Sequence, residues 1–124
     1  MMNLQNKIVL FQEKQIRRKW HENEWWFSIA DVMGVLTESH NPSVYWRVLK
    51  KRLLAEGSEV VTKCNALKLT APDGKKYAMD CANTEILFRL LMSVPSPKAE
   101  PFKLWLAQVG KERMEEIEKP KVVE

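Results

Sequence analysis

Residues 25–53, WWFSIADVMGVLTESHNPSVYWRVLKKRL, constrain the fold more than any other stretch of the chain. An apolar helical pattern, a polar break and a basic amphipathic pattern follow one another without interruption, which is the outline of a helix-turn-helix. Ser28 and Asp31 stand at capping-box spacing, so each side chain is expected to satisfy a backbone donor at the start of the first helix. Ile29, Val32, Met33 and Leu36 then share one face, and this helix is expected to end near Leu36. Asn41-Pro42 opens the second helix, with Asn41 as cap and proline at the first position, where its missing N–H is not needed. Steps of about 100° per residue over 42–55 turn Tyr45, Val48, Leu49 and Leu53 inward and Ser43, Arg47, Lys50 and Lys51 outward. Trp46 falls between the two sides, and Gly57 is placed to end the helix.

The flanks supply scaffold. KIVLF at residues 7–11 and Gln15 to Trp20 read as two short strands or one bent strand. The turn-prone HENE between aromatic-rich arms predicts a hairpin from Ile16 to Phe27. Trp20, Trp25, Trp26 and Phe27 together would form a sticky surface patch, so most are expected in the core. Downstream, Asn65 to Thr70 and Lys75 to Asp80 flank the turn APDG and predict a second hairpin. Asn83 or Thr84 caps a third helix whose Ile86, Leu87, Leu90 and Leu91 face the core. Ser96 and Pro97 open a fourth, with Phe102, Trp105, Leu106 and Val109 as its apolar stripe and Gly110 at its end or at a weak point. The expectation is an α+β single domain, with two β-hairpins or one small mixed sheet packed on about four helices. Residues 1–110 form that domain, and the mostly charged residues 111–124 read as a helix end or a linker to a further domain.

Charge and chemistry narrow the function. The chain of 124 residues carries a net charge of +4, yet residues 41–76 alone hold eight basic against three acidic residues, a local excess of five. Such a concentration favours polyanions, the alternative being a solvated face with no partner. Arg47, Lys50 and Lys51, joined by Ser43, would anchor phosphates, and Lys68, Lys75 and Lys76 on the second hairpin would add a wing-like second contact. No phosphate-binding glycine loop, HExxH or GxSxG motif is present, so an enzyme is not expected. Asp31 reads as a cap and Asp80 as a strand-end residue. Cys64, Cys81, His21 and His40 contain no close-spaced ligand pair, so neither a zinc site nor any other cofactor is expected, and the two thiols are expected free and buried. With no run of roughly 20 apolar residues and no secretion signal, a cytoplasmic protein without a membrane span is the default.

The stretches WWFSIADVMGVL, NPSVYWRVLKKR, DCANTEILFRLLMS and PSPKAEPFKLWLAQVG together resemble the Bro-N domain, the N-terminal module of prophage antirepressors and large-DNA-virus Bro proteins. The resemblance covers roughly Ile16 to Gly110. It implies a DNA-binding N-terminal domain, usually followed by a separate C-terminal domain, in a phage, prophage or virus-derived regulator. The chain departs from that pattern in having nothing after Glu124, which suggests a shortened form. Phe27, Ala30, Asp31, Val32, Phe102 and Trp105 are the positions the resemblance marks as fold-determining, whereas the basic residues above come from charge and helical spacing. The resulting expectation is a non-catalytic module that binds double-stranded DNA in an antirepressor-like transcriptional regulator. Binding to a phage repressor protein without DNA contact is the alternative, and a homodimer is compatible with both.

Overall fold

Two tight turns build the N-terminal half. Gln12 and Glu13 (φ 49° and 69°), and Glu22 and Asn23 (φ 51° and 66°), place consecutive residues in the left-handed region. Two such residues make the short hairpin loop whose twist matches that of paired strands. They join β1 (Asn6–Phe11), β2 (Lys14–His21) and β3 (Glu24–Ser28) into an antiparallel meander. The expected turn at HENE is there, and the earlier polar break divides two strands rather than bending one. Residues 6–113 are described in this computed structural model; of the charged tail expected over 111–124, the part after Arg113 lies outside the described residues.

The helices α1 (Ile29–Thr37) and α2 (Pro42–Ala55) follow, and a 3₁₀ turn at Val61–Lys63 leads to the hairpin of β4 (Asn65–Thr70) and β5 (Lys76–Ala82). Gly74 adopts φ 84° in the connecting turn, a value glycine tolerates without strain. Asp73 fixes that turn by accepting from the Lys75 backbone N–H at 2.8 Å and the Tyr77 hydroxyl at 2.6 Å. Two rungs, Phe27 with Ala82 and Ser28 with Cys81, couple β5 to β3. Both hairpins therefore merge into one five-stranded sheet of order β1-β2-β3-β5-β4. The architecture is α+β with four helices, as expected, but the sheet is antiparallel throughout rather than mixed, and the second hairpin is a sheet half rather than a separate wing.

The aromatic run forms the central strand. Trp25, Trp26, Phe27 and Ser28 are all buried, so both faces of β3 are covered. On the Phe27 side lies α4 (Ala99–Val109), whose Phe102 packs edge-on against Phe11 at 5.2 Å between ring centres. Its Trp105 donates from Nε1 to the Leu10 carbonyl at 2.8 Å, blocking one outward group of the edge strand β1. Arg18 stacks 3.9 Å over the Trp25 ring and donates to the Val109 carbonyl at 3.2 Å, a cation at the negative end of α4. The helix α3 (Thr84–Leu91) is capped by Asn83, which accepts from the Ile86 N–H at 2.9 Å. A Cβ at Gly110 would overlap Thr84 Oγ1 and lie 2.9 Å from the Leu106 carbonyl, so α4 ends against the start of α3 at a residue with no side chain. Ser96 precedes α4 rather than opening it, and its hydroxyl donates to the Leu36 carbonyl at 2.6 Å, capping the end of α1. No described helix is long and apolar enough to cross a membrane.

Candidate nucleic-acid interface

The helix pair is set on the sheet by a strand that stops early. Ser28 Oγ accepts from the Asp31 N–H at 3.2 Å, so half of the expected capping box forms. The reciprocal half does not. The Asp31 carboxylate instead accepts from Arg17, through the backbone N–H at 2.9 Å and through Nε and Nη2 at 2.8 Å each. The cause is topological: β3 leaves the sheet after Ser28, the Arg17 amide loses its strand partner, and a carboxylate one turn into α1 replaces it. Arg17 Nη1 also donates to the Thr70 carbonyl at 3.0 Å, tying the start of α1 to the end of β4.

At the other end of α1, Glu38 is left-handed (φ 56°) and its N–H returns to the Gly34 carbonyl at 3.1 Å. A Cβ at Gly34 would sit 3.0 Å from Pro42 Cγ, so α2 starts in close contact with α1 where a side chain is missing. Asn41 Oδ1 accepts from the Val44 N–H at 3.2 Å, the expected cap.

The rotation of α2 differs from that expected. Trp46, Leu49 and Leu53 are its buried residues, whereas Val48 is 64% exposed and faces outward. The reason is a long-range polar anchor on β5. Trp46 Nε1 donates to Asp80 Oδ2 at 2.8 Å, and Lys50 Nζ meets the same oxygen at 2.9 Å. These bonds turn Trp46 into the core and shift the inward arc toward it. Partial burial works to raise the Asp80 pKa, but the hydrogen bonds from Lys50 and Trp46 and the Lys50 charge outweigh it and hold the carboxyl below its ordinary value.

Ser43, Arg47 and Lys51 are exposed on α2. Lys50 is half-buried and paired with Asp80. Register sets Lys68 opposite Ala78 and Lys76 opposite Thr70, so alternation gives Lys68, Lys76 and Asp80 a common face of the hairpin. Successive rungs on that face, at about 7 Å spacing, lead from Asp80 and Lys50 to Lys68 and then Lys76. Lys75 lies exposed in the turn beyond them. Lys50, Lys68 and Lys76 thus form one basic row, with Arg47 and Lys51 on the adjoining outward face of α2. Arg52 belongs to the opposite flank, where it approaches the Ser93 carbonyl at 3.4 Å and Glu56 at 3.6 Å.

Residues 15–112 match the family described as BRO family, N-terminal domain. The chain belongs to this family. No curated protein and no solved structure gives a significant match. Bro-N membership identifies a domain of the antirepressor type found in phages and prophages. Within this Bro-N domain the motif WWFSIADVMGVL builds β3 and α1, and PSPKAEPFKLWL builds the cap on α1 and the aromatic plate of α4. Phe27, Val32 and Phe102 are fully buried. Both cysteines are free, Cys81 buried and Cys64 half-buried, and burial pushes their thiols up to about 12 and about 11. A groove of about 590 Å³ lies between β1, β2 and the end of β4, walled by Ile8, Arg17, Asp31, Leu69 and Pro72.

Proposed function

We propose that this Bro-N domain is a non-catalytic module that binds double-stranded DNA within a cytoplasmic, antirepressor-like transcriptional regulator of phage or prophage type. The observation that carries the reading is the outward face of α2, where Arg47 and Lys51 are exposed and make no ion pair among the described residues, beside the row Lys50, Lys68 and Lys76. Cations so placed neutralise phosphates and release counterions, α2 forming the main contact and the hairpin lysines, with Lys75 at the turn, a second. A non-catalytic role is supported by the two acids nearest the core. Asp31 is engaged by Arg17 and Asp80 by Trp46 and Lys50, engagements that give both carboxylates structural roles.

Gel-shift titrations over a salt series test the reading. Binding should weaken steeply with salt, and Arg47→Ala/Lys51→Ala should reduce the slope of log affinity against log salt by about 1.8, or about 0.9 per lost phosphate contact. Absence of a shift at low salt would remove DNA as the partner, and an unchanged slope in the double variant would remove the outward face of α2 as the contact. A repressor-binding reading has its own support in Ile8 and Leu10, each 56% exposed on β1. The tryptophan-rich hairpin does not offer that surface, because Trp25 and Trp26 are buried.

A further inference from the structure

The outward face of α2 carries more than charge. Val44 and Val48 are 40% and 64% exposed there, an apolar pair on the same face as Arg47 and Lys51. Their spacing makes them a row along the helix, about 6 Å apart in rise. Arg47 and Lys51, at the same spacing, form a parallel row about 60° around the helix toward the hairpin. Arg52 lies about 40° around on the other side, toward the end of α3. The outward face of α2 therefore carries an apolar row, with the exposed cations Arg47 and Lys51 along one shoulder and Arg52, which approaches Glu56, on the other.

That cross-section matches the DNA major groove. A helix of about 10–12 Å diameter fills a groove about 12 Å wide, so its outermost line meets base edges while its shoulders meet the two phosphate backbones. The one apolar group presented on the floor of that groove is the C5 methyl of thymine. Two base steps span about 6.8 Å, close to the rise from Val44 to Val48. Resting on the DNA-binding reading above, we infer that Val44 and Val48 contact thymine methyl groups in the major groove and give this domain a preference for thymine-bearing sites. The bracketing cations select a polyanion over an apolar protein partner as the occupant of this face.

Competition binding at low salt compares the alternating dA-dT copolymer duplex with its dA-dU counterpart, which lacks only the C5 methyl. The unaltered chain should prefer dA-dT by about fourfold per methyl contacted, so about 15-fold for two. Val44→Ala/Val48→Ala should shrink that preference several-fold, chiefly by weakening binding to dA-dT, and Arg47→Ala should weaken both duplexes alike. Both valines are exposed, so the double variant should keep its fold, which circular dichroism verifies. Equal affinity of the unaltered chain for the two duplexes, or an undiminished preference in the valine double variant, overturns the inference and leaves DNA binding standing. A chain that binds neither duplex overturns the DNA reading itself, and the thymine inference with it.

Discussion

At Asp80 a single carboxylate oxygen accepts from Trp46 and Lys50, so one residue sets how α2 is rotated on the sheet. Truncation to alanine leaves the buried Trp46 indole N–H without its acceptor. Asp80→Ala should therefore destabilise the domain by about 1–3 kcal/mol, measured by urea unfolding at neutral pH. Asp80→Asn keeps an acceptor for the indole and loses mainly a partly exposed ion pair, so it should cost less. The pH dependence has a definite sign. The folded-state pKa of Asp80 lies below its ordinary value, so its contribution is fully present above the unfolded pKa of about 3.9 and is lost as pH falls through the lower folded value. The unaltered domain should lose stability relative to Asp80→Asn across that acid window. Parallel acid titrations of the two would contradict this account.

At the scale of elements, caps and close approaches set the boundaries of the helices. Asn41→Ala removes the side-chain acceptor at the start of α2 and should cost about 1 kcal/mol, seen as a lower thermal midpoint. Gly110→Ala forces a Cβ onto Thr84 Oγ1 and the Leu106 carbonyl and should cost about 1–3 kcal/mol, again seen as a lower thermal midpoint; an unchanged midpoint would contradict the close approach of α3 and α4. The sequence made α2 legible from Pro42 to Ala55 because Asn41-Pro42 and Gly57 act within a few residues of themselves. Its rotation was not legible, because Asp80 lies 34 residues from Trp46 in sequence and nothing local marks the pair. Ser28 was readable as a cap for the same local reason, whereas Asp31 was drawn away by Arg17, 14 residues distant, once β3 left the sheet. The individual strands followed from their turns, but their union into one sheet depends on two rungs between β3 and β5 that no turn signals. Of the candidate contacts, the outward placing of Ser43, Arg47 and Lys51 followed from helical spacing; the pairing of Lys50 and the exposure of Val48 followed from the rotation that sequence could not give.

Across the whole molecule the candidate DNA contacts are not equivalent, because the fold has already engaged Lys50. The row from Lys50 through Lys68 to Lys76 begins at a lysine held 2.9 Å from Asp80, whereas Arg47 and Lys51 have no ion pair among the described residues. A lysine that must keep or exchange a carboxylate partner releases less than a full counterion when it meets a phosphate, since part of its charge is already compensated. Lys50→Ala should therefore lower the slope of log affinity against log salt by less than the roughly 0.9 expected for Lys51→Ala. The reciprocal change has the opposite sign. Asp80→Asn removes a negative charge from the face that carries Lys68 and Lys76 and frees Lys50, so it should tighten DNA binding at low salt and steepen the salt dependence, even though it weakens the fold. A variant that is less stable yet binds better separates the two roles of the residue, because a merely structural defect would lower both. Equal slopes for Lys50→Ala and Lys51→Ala would mean that pairing with Asp80 does not reduce the phosphate contact of Lys50, and an Asp80→Asn domain that binds no more tightly than the original would mean that the hairpin face lies outside the contact and that α2 alone meets the DNA.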